Sequence, residues 1–209
     1  MAVTSAGVLA GAAALGLLAV GAVGAAYGTS DGSGVRSGSG SGSAGVGVGV
    51  GADVGEGLVL RVHGRFAPPG SFVPSTALTY DRTLVPAGAW IVVEQEAGRA
   101  GTVVRARVGG VKAGHAFGAH VHTEPCDAAP DRAGPHYRHH ADPAGVAEPA
   151  NEVWLDFTTD ATGQATVEAR HDWGFRRGSA NSLVLHQEQG GAGARVACFT
   201  IPFGGYGTP

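Results

Sequence analysis

His120 and His122 flank Val121 in the run Ala116-Phe117-Gly118-Ala119-His120-Val121-His122. Strand alternation turns both imidazoles to one face and Phe117, Ala119 and Val121 to the other. Two adjacent imidazoles on one face are poor core residues and good metal ligands, and imidazole nitrogen suits copper and zinc. A His-x-His pair alone is equally read as two solvated surface histidines. Further chemistry follows it in the chain. Cys126 comes four residues later, then Gly134-Pro135-His136-Tyr137. His186 ends the apolar run Ser182-Leu183-Val184-Leu185, and Arg195-Val196-Ala197-Cys198 begins nine residues on. Every histidine except His63 lies between His115 and His186, a concentration that points to a metal site.

These residues sit among short runs of β-type sequence. Such runs cover 57–62, 89–94, 102–108, 116–122, 152–158, 165–170, 182–186 and 195–201. They are rich in β-branched and aromatic residues and partly alternate. Asp160-Ala161-Thr162-Gly163 is a turn between two of them. No stretch carries an apolar stripe of helical period and length. About eight short strands with frequent turns imply a sandwich or a barrel.

The N-terminal quarter differs. Residues 1–28 carry no charge and include Ala10-Gly11-Ala12-Ala13-Ala14-Leu15-Gly16-Leu17-Leu18-Ala19-Val20, followed by the small residues Gly24-Ala25-Ala26. This reads as a signal peptide or an N-terminal membrane anchor, so the chain is expected in the cell envelope or secreted. A basic segment before the apolar core is missing, since the first Arg or Lys is Arg36. Residues 29–56 are a Gly/Ser-rich tether with too little apolar surface to offset its ordering entropy. Residues 57–75 read as an irregular extension containing Pro68, Pro69 and Pro74, and 76–205 as the main domain. The net charge of −3 and the lack of a basic stripe exclude a nucleic-acid partner. Membrane contact is expected only through the N-terminal segment.

The order Gly118-Ala119-His120-Val121-His122, Cys126, Gly134-Pro135-His136, Leu183-Val184-Leu185-His186, Gly193-Ala194-Arg195-Val196-Ala197-Cys198 resembles the Cu/Zn superoxide dismutase family. The resemblance covers roughly residues 76 to 203. It implies an eight-stranded Greek-key β-barrel of the immunoglobulin-like sandwich kind with one disulfide, Cys126–Cys198. It also implies copper ligands His120, His122, His136 and His186, and Arg195 standing over the copper as a guide for the superoxide anion. In the family the histidine at the His136 position also bridges to zinc, and it returns a proton to the departing peroxide. The implied activity is antioxidant: superoxide becomes oxygen and hydrogen peroxide by copper redox cycling. A disulfide suits an exported domain, and closing so long a loop contributes about 4 to 5 kcal/mol on the chain-entropy model.

Two features depart from the family. Its zinc site takes two more histidines and an aspartate after the bridging one. His139, His140 and Asp156 are the candidates here, but the family's closing His-x-x-Asp spacing is absent, since Val153 stands three residues before Asp156. The long charged loop of the family is reduced to Gln187–Ala194. Both losses resemble the copper-only branch, in which copper is more open to solvent. His63, His115 and His171 match no ligand position, and Trp90, Trp154 and Trp173 read as barrel residues. Arg170, Arg176 and Arg177 read as a solvated basic face. A non-catalytic copper-binding envelope protein is the competing reading. Arg195 favours the enzyme, because a storage site has no use for an anion guide. A domain with a dead site is disfavoured by the four intact copper positions.

Overall fold

The computed structural model describes residues 49–51, 57–141 and 144–204. The expected leader, and all of the expected tether except 49–51, lie outside them. Among the described residues ten strands form two antiparallel sheets. The first has the order β1 (Gly49–Gly51), β2 (Leu58–Arg65), β4 (Trp90–Gly98), β5 (Gly101–Gly109) and β8 (Gln164–His171). The second has the order β3 (Ala77–Thr79), β10 (Arg195–Thr200), β9 (Ser182–His186), β6 (Ala116–His122) and β7 (Phe157–Thr158). One short 3-10 turn, Pro130–Ala133, interrupts the loop after β6. Among the described residues no helix is long and apolar enough to cross a membrane.

The sheets do not close into the eight-stranded barrel expected from sequence. Closure needs a hydrogen-bonded ladder around the whole ring. The second sheet ends instead in a three-residue and a two-residue strand, β3 and β7, too short to carry a ladder to the first. The fold is a β-sandwich. The run at 57–62 extends to Arg65 and pairs along its whole length with β4, so the first sheet crosses the boundary expected at residue 76. The run at 152–158 shrinks to Phe157–Thr158, with Trp154 attached only by an isolated bridge to His120.

Alternation explains the core. Leu60, Val62, Ile91, Val93, Val104, Ala106 and Val108 of the first sheet are buried against Phe117, Ala119, Val121, Leu183, Leu185 and Phe199 of the second. Removing this apolar area from water is the main stabilising term. On the outer face of the second sheet, His120 and His122 are fully buried and His186 is 4% exposed. They are covered by the loop from Thr123 to His136 and by the segment Glu152–Asp156. The Cys126–Cys198 disulfide ties that loop to β10. Ala133, Val184 and Cys198 form a small second apolar cluster there, with Tyr80 and Cys126 packed on it.

Candidate metal centre

Local geometry brings four histidines to one point. His120 and His122 leave β6 on the same face. His186 lies on β9 opposite Gly118, where any side chain on Gly118 would meet Glu188 O at 2.3 Å and His186 Cβ at 3.2 Å. His136 comes from the loop, which folds back along β6. Tyr137 N donates to Val121 O (2.8 Å), Thr123 N to Pro135 O (3.0 Å) and Glu124 N to Ala133 O (3.0 Å). Gly134 makes this return with φ of +74°, and a Cβ there would strike Thr123 Oγ1 at 2.3 Å.

The rings converge. Centroid separations are 4.5 Å for His120–His136, 4.8 Å for His120–His186, 4.7 Å for His122–His136 and 5.6 Å for His136–His186. His120, His136 and His186 each place one ring nitrogen within 4.8 Å of the others. His122 joins them through Nε2, 3.3 Å from His186 Nε2.

Three of the four rings have one nitrogen held and one free. His122 Nδ1 donates to Gly134 O (2.9 Å), His186 Nδ1 to Gly193 O (3.1 Å) and His136 Nδ1 to Glu152 Oε2 (2.8 Å). These bonds require the tautomer with a bare Nε2 lone pair. The Nε2 pair of His122 and His186 is then two lone pairs facing each other, which a cation between them would relieve. His120 Nε2 stands 2.9 Å from Asp156 Oδ1, but neither of its buried ring nitrogens is in hydrogen-bonding geometry. A buried polar atom without a partner is costly. Held rings with free nitrogens are how metal-ligating histidines are oriented. Burial pushes His122 down to about 2 and His186 to about 4, reinforced by the neighbouring imidazoles and Arg195. His136 is lowered for the same first reason. These rings are neutral at pH 7, the form that binds a metal.

Glu152, overlooked in the sequence, is the main support of His136. It is 1% exposed. Its Oε2 accepts from His136 Nδ1 and from Trp154 Nε1 (2.9 Å), and its Oε1 accepts from Arg138 Nε (2.9 Å). Burial alone would raise the Glu152 carboxyl, but the bonds from Trp154, Arg138 and His136 hold it below its ordinary value. A signal was present: in Glu152-Val153-Trp154-Leu155-Asp156, the fully buried core residues Val153 and Leu155 alternate with three residues that face the histidines. Trp154 lies 5.0 Å from the His120 ring. Asp156 accepts from Ala119 N (2.9 Å) and from Gly190 N (2.7 Å). It thereby fixes the short loop after His186 beside His120.

Arg195 stands across from His186 in the β9–β10 ladder. It and Cys198 are three residues apart, so regular alternation would put them on opposite faces. A register shift between Arg195 and Ala197 lets both face the loop, as a bulge does. The guanidinium donates to Pro130 O (2.9 Å) and Gly134 O (2.7 Å). Gly134 O therefore holds both Arg195 and His122.

The zinc candidates join no metal-ligating group with His136 among the described residues. The His139 ring stacks on Trp173 at 4.5 Å, and His140 lies against His139 at 4.3 Å. Asp156 is on the His120 side. His136 Nδ1, the nitrogen left for a bridge once Nε2 faces the cluster, is bonded to Glu152. Among the described residues the three-histidine group is the one gathered set of metal-ligating side chains.

No family model matches the chain, and no curated protein matches it. Among solved structures it is similar to two mutants of a SOD-like protein from Bacillus subtilis. The double mutant is 17% identical with a TM-score of 0.40, over 52% of this chain and 86% of that one. The single mutant is 14% identical with a TM-score of 0.43, over 68% and 97%.

Proposed function

We propose that the chain is a copper-dependent superoxide dismutase acting outside the cytoplasm. One observation carries this: four imidazoles, three of them buried, converge on a common point beside an arginine that makes no ion pair with a carboxylate among the described residues. His120 Nδ1 and the Nε2 atoms of His122, His136 and His186 would hold the metal. Imidazole is a borderline ligand that accommodates both copper oxidation states. Bound copper would supply the one-electron cycle that turns two superoxide ions into oxygen and peroxide. Arg195 attracts the anion and holds it near the imidazoles. His136 can take a proton at Nε2 and return it to a reduced product, because the Glu152 carboxylate stabilises the imidazolium through Nδ1. The Glu152 contact also argues for copper without a bridged zinc. A disulfide in a chain with an apolar leader supports export.

The test is dismutation by the oxidised chain loaded with copper alone, beside a His186→Ala control. Copper-dependent turnover lost in the control is the expected result. Stoichiometric copper binding with no more turnover than free copper would overturn the enzyme and leave a copper-binding envelope protein.

A further inference from the structure

The exposed edge of His136 opens into a cleft of about 460 Å³, lined also by Thr123, Arg138, His140 and Arg176. The chain carries a net −3, yet among the described residues the fixed charges lining this cleft are both guanidinium groups. They are held in different ways. Arg138 pairs with the buried Glu152 carboxylate, so its charge is largely cancelled. Arg176 donates Nη1 to His139 O and Nη2 to Arg138 O (2.9 Å). Its Cζ sits 4.9 Å from the ring centre of Tyr137, which is fully buried. Backbone carbonyls and an aromatic face orient a cation without neutralising it. No carboxylate among the described residues lies within ion-pair distance of Arg176. Arg195 is built the same way, with its fork on Pro130 O and Gly134 O. Two pre-set arginines, neither with an acidic partner among the described residues, thus flank the histidine cluster. The short Gln187–Ala194 loop supplies no Lys or Arg of its own.

We propose that this cleft is an anion-collecting vestibule in which Arg176, aided by Arg138 and His140, draws small oxyanions toward His136. The proposal rests on the dismutase reading for its physiological anion, superoxide, but the cleft should bind any small oxyanion without metal. Inorganic phosphate is the probe. In the metal-free, disulfide-bonded full chain, phosphate titration followed by ¹H–¹⁵N spectra should saturate at the Arg176 and Arg138 side-chain N–H signals. Arg176→Gln should weaken phosphate at least about 5-fold, whereas Arg176→Lys, which keeps the charge, should weaken it less. Arg170→Gln, on a cation already paired with Glu168, should change nothing. In the copper-loaded chain Arg176→Gln should slow kcat/KM about 2- to 5-fold at low salt and flatten its salt dependence. Absence of saturable shifts at the cleft, or equal phosphate affinity in Arg176→Gln, would overturn the vestibule. If Arg176→Gln lowers the thermal midpoint, equal losses in Arg176→Gln and Arg176→Lys would assign the arginine to structure and overturn it as well. Phosphate binding in a chain without dismutation would instead overturn the dismutase reading and keep the anion site.

Discussion

On the outer face of the first sheet, Arg61, Glu94, Glu96, Arg105, Arg107, Glu168 and Arg170 form ion pairs across β2, β4, β5 and β8. On the outer face of the second sheet, loops cover three histidines, and both ring nitrogens of His120 lack a hydrogen-bond partner. The first face places charge where water already solvates it, and such pairs contribute little. The second buries polar nitrogens without partners, which stability alone would not select. The difference separates a surface that only needs to be soluble from one arranged around a ligand. Four perturbations should sharpen or break it.

The largest effect is expected from the staple over the second face. Replacing Cys126 and Cys198 by Ser opens a link across 72 residues. It should lower unfolding free energy by about 4 kcal/mol, read from urea midpoints. Because the disulfide anchors the loop bearing Gly134 and His136, copper affinity should fall in the same variant. A stability loss with unchanged copper affinity would mean that the loop holds its place without the disulfide.

Acid should act next. His186 has its folded value lowered from 6.5 to about 4, so the unfolded chain binds more protons between those limits. The contribution of His186 to stability is complete above about pH 6.5 and is lost as pH falls toward 4, by about 3 kcal/mol. His122, lowered from 6.5 to about 2, adds to the loss over the same range and continues it below pH 4. Urea midpoints of the metal-free chain should fall between pH 7 and 4, less steeply in His186→Gln. Equal slopes would show that His186 is not held neutral.

Glu152→Gln keeps the shape but removes the carboxylate between His136 and Arg138. Copper affinity or turnover should drop about 10- to 100-fold, and the acidic limb of the rate profile should move. A purely structural role would lower the thermal midpoint without shifting that limb.

Arg105→Gln, on the first face, should leave the thermal midpoint and copper affinity unchanged within error, although it removes two ion pairs. A large change there would erase the contrast between the faces.

Much of the second face was legible in the sequence. The alternation of Ala116–His122 gives both the buried core residues and the imidazole pair, and the order of His136, His186, Arg195 and the cysteines gives their partners. What stayed hidden depends on contacts far apart in the chain. Glu152 acquires its role because the segment after Asn151 crosses His120 by a single bridge, and isolated bridges leave no periodic run. Arg195 and Cys198 share a face only through a bulge that their spacing does not announce. The family resemblance points to His139 and His140 for zinc, whereas the His139 ring stacks on Trp173. The barrel stayed open because strand length at the sheet edges, not strand count, decides closure.

The most direct measurement is titration of the oxidised, metal-free chain with one equivalent of Cu(II), followed by electron paramagnetic resonance and by quenching of Trp154 fluorescence. Four converging imidazoles predict one tight equivalent with nitrogen hyperfine structure, quenched indole emission, and loss of both in His186→Ala. Weak binding of several equivalents, or a spectrum unchanged by His186→Ala, would contradict the site.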